Sequence, residues 1–212
     1  MHPDFWHERW SSNQIGFHES AANPLLVEHF AALGLSPGAR VFVPLCGKTL
    51  DIDWLLAQGH RVVAAELSQL AVAEVFARLD LAPEVDDAGE LARLRAADLE
   101  VFVGDFFGLS AAALGEVDAV YDRAAMIALP AEMRRRYVAH MRTLVGAAPQ
   151  LLVTLDYEQD CIAGPPFAVS SDEVRQYHGG RAPRLLAHHA VAGGLKGRCP
   201  ATENVWLIPT VS

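Results

Sequence analysis

Two hydrophobic rhythms alternate along the chain. Nearly continuous apolar runs recur at residues 40–45 (RVFVPL), 60–67 (HRVVAAEL), 99–107 (LEVFVGDFF), 117–125 (VDAVYDRAA) and 150–157 (QLLVTLDY), and each predicts a buried strand. Between them the apolar residues fall at helical spacing. Leu26, Phe30 and Leu33 follow Asn23-Pro24 and stop at Gly34, as a capped helix does. A second helix is expected from Thr49 to Gln58. A third opens behind Ser68, with Val72, Val75, Phe76 and Leu79 on one stripe. After Pro130, Met133, Tyr137, Met141 and Leu144 share a face, which directs Arg134, Arg135 and Arg136 largely outward.

Residues 80–98 turn acidic and lose this rhythm; a short helix at 90–97 is the element they suggest. The C-terminal part changes character. GPPF (164–167) forms a rigid turn, and Ser170-x-x-Glu173 is a capping box opening a helix that ends at Gly179-Gly180. The runs RLLAHHAVA and NVWLIPTV are joined by GGLKGRCPATE, too short for a crossover helix, so they should pair antiparallel. Five β/α units finishing in a hairpin predict an α/β class: an open, mostly parallel sheet of about seven strands, helices on both faces, one domain over residues 1–212. Right-handed crossovers then place a ligand at the carboxyl ends of the first strands.

Gly47-Lys48-Thr49, at the end of the first of these strands, has the last letters of a phosphate loop. Five residues before Gly47 stands Phe42, so the first glycine of that motif is missing. Asp51 and Asp53 would also repel a polyphosphate at the helix N-terminus. The dinucleotide fingerprint fails as well, because Pro44-Leu45-Cys46-Gly47 offers one glycine. Glu66 lies 19 residues after Gly47, at the end of the second strand. There a carboxylate can accept from both ribose hydroxyls, or stand as a solvated strand-end acid. Asp105-Phe106, at the next strand end, can bond an adenine amino group and cover its ring. The same pair reads equally as a turn aspartate followed by a core phenylalanine. An adenosine site without a diphosphate site points to S-adenosyl-L-methionine.

Composition narrows the partners. Seventeen basic against 26 acidic residues give a formal charge of −9, which argues against nucleic acid and suits a small cationic ligand. No apolar run is long enough to cross a bilayer, and the start MHPDFWHERW lacks a basic stretch followed by an apolar one, so a cytoplasmic location and no membrane partner are expected. Cys46, Cys161 and Cys199 are far apart and read as reduced, mostly packed thiols. Nine histidines show no metal-ligand spacing, and His188-His189 point to opposite faces of a strand, so no metal is expected.

The segments FWHERW, IGFHES, VFVPLCGKTLDIDWLLAQGHRVVAAELS, DRAAMIALP and GPPF, in that order over residues 5–167, resemble bacterial-type thiopurine S-methyltransferases, class I S-adenosylmethionine-dependent enzymes. The resemblance implies cofactor contacts at Trp10, Leu45, Glu66 and Arg123, with the N-terminal segment (1–36) folding over the cofactor. Asp105 and Phe106 match the adenine-proximal loop more loosely. Phe17, His18, Phe167 and Arg123 would line the acceptor pocket; Lys196 and Arg198 are the candidates for a second substrate cation. From the residues themselves, Trp6 and Trp10 also read as helix packing, and Arg123 as a local ion pair with Asp122. The implied activity is methyl transfer to aromatic or heterocyclic thiols, and also to selenium or tellurium species, releasing S-adenosyl-L-homocysteine without a covalent enzyme intermediate. A monomer is expected. A halide or thiocyanate methyltransferase and a non-catalytic or NAD-linked α/β protein are the competing readings.

Overall fold

The computed structural model describes residues 3–12 and 19–210. In chain order the elements are α1 (Pro3–Ser11), α2 (Pro24–His29), β1 (Arg40–Pro44), α3 (Asp51–Ala57), β2 (Arg61–Glu66), α4 (Gln69–Arg78), β3 (Glu84–Ala88), β4 (Leu91–Ala96) and β5 (Leu99–Val103). There follow α5 (Ala111–Leu114), β6 (Ala119–Asp122), α6 (Ala125–Ala128), α7 (Ala131–Val145), β7 (Gln150–Tyr157), α8 (Ser171–His178), β8 (Arg184–Ala190) and β9 (Ala201–Ile208). Among the described residues the nine strands make one sheet, ordered β3-β4-β5-β2-β1-β6-β7-β9-β8. The run β5-β2-β1-β6-β7 is parallel, and β9 and β8 close that side as an antiparallel hairpin.

The alternation within the strands divides the core. Val41, Val43 and Ala64 face one layer with Val72, Val75 and Phe76 of α4. Phe42, Val63 and Ala65 face the other, with Met126, Tyr137, Met141 and Trp206. Both faces are covered by helices, which is why these strands read as unbroken apolar runs.

Two expectations are corrected. Residues 90–97 do not form a helix: β4 pairs antiparallel with β3 and β5, which raises the strand number from about seven to nine. The sequence LARLRA is rich in helix formers, but as a strand it packs Leu91 and Leu94 against the two core layers and pairs its arginines across strands. Arg95 donates to Asp86 at 2.5 Å, and Arg93 lies 3.3 Å from Asp86 and 3.8 Å from Glu100. Arg134, expected at the surface of α7, is 5% exposed. Its guanidinium donates to both carboxylate oxygens of Glu173 (2.8 and 3.2 Å) and to the Leu129 carbonyl (3.1 Å). The capping box was legible, since Ser170 Oγ accepts from Glu173 N at 3.2 Å. Its glutamate has a second task that no local spacing reveals.

Candidate functional site

β1 lies between β2 and β6, so the chain leaves the sheet in opposite directions on its two sides and opens a crevice at the carboxyl ends. A cavity of about 630 Å³ occupies this place, and Trp10, Leu45, Glu66 and Arg123 all line it. These four come from α1, the end of β1, the end of β2 and the turn after β6.

The backbone at the end of β1 is shaped for close approach. Leu45 adopts a left-handed conformation (φ 47°), uncommon for a leucine and costing about 1–3 kcal/mol. Gly47 is also left-handed (φ 54°), and a Cβ built on it would lie 2.9 Å from Cζ2 of Trp10. The indole therefore rests directly on the glycine. Trp10 is 7% exposed, and Lys48 Nζ stands 5.9 Å from its ring centre. Trp6, one helical turn earlier, lines the same cavity.

Glu66 is 6% exposed. One carboxylate oxygen accepts from Gly47 N at 2.8 Å and the other from Ser68 N at 2.8 Å, so the group is pinned at the cavity wall by two neighbouring turns. Burial, followed by the Glu66 charge, pushes the Cys46 thiol up. It stays protonated near neutral pH and offers no thiolate nucleophile.

Arg123 pairs with Glu19 rather than with Asp122. Asp122 is turned away: it accepts from Tyr137 Oη at 2.5 Å and from Met126 N at 3.3 Å, and burial raises its carboxyl to about 6. Glu19 also accepts from Asn23 Nδ2 at 3.2 Å, while Asn23 N donates to Asp51 Oδ1 at 2.7 Å. Tyr121 Oη donates to Asp51 Oδ2 at 3.0 Å. Arg123 is thus held by a chain of polar contacts running from β6 through the start of α3 into the N-terminal segment. Glu19, Asp51 and Tyr121 line the cavity, yet none was singled out for it from the sequence. Tyr121 had a usable signal, since it stands two residues before Arg123 on an alternating strand. Asp51 had been read solely as a charge repelling phosphate.

The remaining expected residues separate. Asp105 is exposed and its Oδ1 accepts from Phe107 N at 3.0 Å, capping a tight turn. That turn does adjoin the site, because Gly104 N donates to the Glu66 carbonyl at 3.0 Å. Phe106 does not reach the cavity: its ring is buried, 5.1 Å from both Tyr137 and His140. Of the two readings left open for this pair, the turn aspartate and core phenylalanine describe the observed packing. Phe167 folds back on Gly164, and the turn meets the cavity through Pro165 and Pro166 instead. Lys196 lines the cavity and donates to the Pro165 carbonyl at 3.3 Å, whereas Arg198 is not part of the lining. Phe17 and His18 lie outside the described residues.

Comparison with known proteins bears on the family and the fold. A family model described as thiopurine S-methyltransferase matches residues 1–192. A thiopurine S-methyltransferase of Xanthobacter autotrophicus is 54% identical over 210 residues, covering 98% of this chain and 99% of that protein. One from Gluconobacter oxydans is 52% identical over 95% of this chain and 92% of its own length. Among solved structures, the Burkholderia thailandensis 1,6-didemethyltoxoflavin-N1-methyltransferase with bound S-adenosylhomocysteine superposes with a TM-score of 0.67 at 14% identity, over 98% of this chain and 87% of that one. TehB from Haemophilus influenzae gives 0.62 at 15% identity, over 91% and 63%. These structural likenesses carry the fold alone. The full-length sequence matches carry more, and by them the chain belongs to the thiopurine S-methyltransferase family.

Proposed function

We infer that the protein transfers the methyl group of S-adenosyl-L-methionine to the sulfur of an aromatic or heterocyclic thiol, thiopurines among them, releasing S-adenosyl-L-homocysteine. Family membership supports the reaction class, and the observation that carries the site is the meeting of Trp10, Leu45, Glu66 and Arg123 on one cavity. Bound there, the cofactor supplies a methyl group made electrophilic by its sulfonium charge.

The residues suit such a molecule. Glu66, oriented by Gly47 N and Ser68 N, presents a carboxylate to which ribose hydroxyls would donate. Left-handed Leu45 and Gly47 bring the backbone close, and Trp10 closes the space above Gly47. Asp105 is proposed to stand near the adenine edge, because its turn adjoins Glu66. Glu19, Asp51, Glu66 and Glu203 are balanced on the cavity lining by Arg9, Lys48, Arg123 and Lys196, so the site offers carboxylates to ribose hydroxyls and a sulfonium as well as cations to an anionic acceptor.

On the acceptor side, Ile127, Leu129, Leu195, Pro165 and Pro166 form an apolar wall for an aromatic ring, with Arg123 and Lys196 as cations near it. Arg123 would favour an acceptor thiolate, already a good nucleophile, so no general base is required. The chain's main contribution is positioning, which holding two reactants together can make worth roughly 7–11 kcal/mol. Soft selenium and tellurium nucleophiles are proposed as further acceptors on the same chemical ground. The test is mass-spectrometric product identification after incubation with S-adenosylmethionine and a panel of aromatic thiols, iodide, selenite and tellurite. A methylated aromatic thiol is expected. Methylation of iodide alone would favour the small-acceptor reading, and no methylated product from any acceptor would overturn the assignment.

A further inference from the structure

The strongest feature outside the cavity sits where α2 meets the edge strand β8. Glu28 and His29 close α2, and His189 projects from β8, 160 residues further along the chain. One ligand atom from each, a carboxylate oxygen and two imidazole nitrogens, lies within 4.8 Å of the other two. The two imidazole rings are 6.4 Å apart, centre to centre. His29 Nε2 is shielded from solvent with no hydrogen-bond partner, and the nearest Glu28 oxygen is 3.7 Å away. That separation is too long for a hydrogen bond and close to what two atoms sharing an ion require.

We propose that Glu28, His29 and His189 bind a divalent transition-metal ion of the zinc type. Imidazole nitrogen with carboxylate oxygen is a donor set for zinc, cobalt, nickel or copper, and a poor one for magnesium or calcium. Two ligand atoms on one tetrahedral zinc stand about 3.4 Å apart, so the widest separation in the set needs to contract by up to about 1.4 Å. Glu28 and His189 are exposed and have the side-chain freedom to supply it. His189 is too far in sequence from the adjacent Glu28 and His29 for any spacing motif, and the fold alone brings it to them. An ion there would clamp β8 to α2, whose opposite end carries Asn23 and its bonds to Asp51 and Glu19.

The test uses the full chain, without a histidine tag and stripped by chelator, titrated with zinc chloride by calorimetry. One equivalent should bind, magnesium should not compete, and binding should raise the melting temperature. His29→Gln, His189→Ala and Glu28→Gln should each weaken it at least about tenfold. His188→Ala, on the neighbouring strand position, should leave it unchanged. Failure of the parent chain to bind zinc, or binding that survives any one of the three ligand substitutions, overturns the proposal. The result is independent of the methyl-transfer reading, since no cavity residue is altered.

Discussion

The indole of Trp10 lies against Gly47 so closely that a methyl group on the glycine would meet its Cζ2 at 2.9 Å. A helix near the N-terminus and the first strand-to-helix turn are thereby fitted to each other at the cavity wall. Gly47→Ala should displace the indole and, with φ at 54°, strain the turn. The backbone cost is about 1 kcal/mol, or a melting shift of about 2–4 °C in a domain of this size. The larger effect is expected in affinity for S-adenosylmethionine, weakened at least about tenfold because the displaced ring no longer closes the site. Calorimetry and thermal melting on one preparation check both; an unchanged affinity would remove Trp10 from the cofactor site.

Glu66 combines two roles that substitution can separate. Its oxygens accept from Gly47 N and Ser68 N, so Glu66→Ala leaves two buried backbone donors unpaired, at about 1–3 kcal/mol each. Glu66→Gln keeps one acceptor and should cost about half as much stability. Both variants should lose cofactor affinity to a similar extent if the carboxylate receives the ribose hydroxyls. A Glu66→Gln protein that binds the cofactor as tightly as the parent would sink that role.

Arg123 and Glu19 offer a different contrast. Their ion pair is partly exposed and should contribute at most about 1 kcal/mol. Arg123→Ala should therefore shift the melting temperature little while lowering kcat/KM for a thiol by at least about tenfold. Glu19→Gln should leave cofactor affinity nearly unchanged and lower KM for anionic acceptors, because Arg123 is no longer neutralised by its neighbour. Steady-state kinetics with a thiol that titrates within the assay range, followed against pH, distinguishes these outcomes.

Which parts of this arrangement could be read from the chain follows from the range of the forces involved. The parallel strands and amphipathic helices were legible because burial writes a period of two or 3.6 into adjacent residues. The caps at Asn23, Ser68 and Ser170 were legible for the same local reason. Arg134 was misplaced because its partner Glu173 is 39 residues away, and residues 90–97 because their partners Asp86 and Glu100 lie on other strands. At the cavity, strand-end positions such as Leu45, Glu66 and Arg123 followed from topology and resemblance. Side-chain direction in loops did not, which is why Phe167 yields its place to Pro165 and Pro166.

The Arg134–Glu173 pair ties α7 to α8 and reaches the cavity only through the Arg134 bond to the Leu129 carbonyl, so neither member is itself a proposed ligand contact. Removing one member strands a buried charge, so Arg134→Ala should cost about 3 kcal/mol in chemical denaturation. Activity per folded molecule should be retained. A loss of activity without a loss of stability would mean that the pair acts on the site instead.

Two buried groups should shape the acid limb of stability in opposite directions. Burial raises Asp122 to about 6, so between its unfolded value near 4 and about 6 the folded state holds the extra proton, and stability falls as pH rises. The shift of roughly two units corresponds to about 3 kcal/mol. His178 is the reverse case: burial, with Arg142 and Arg181 nearby, lowers it to about 4. From about 4 to 6.5 the unfolded state takes up the proton, so stability rises with pH. Urea unfolding at pH 4 to 7 should therefore show Asp122→Asn gaining on the parent as pH rises through this range. A His178→Phe protein should instead gain on the parent as pH falls. Parallel profiles for parent and variants would mean that neither group changes its proton affinity on folding.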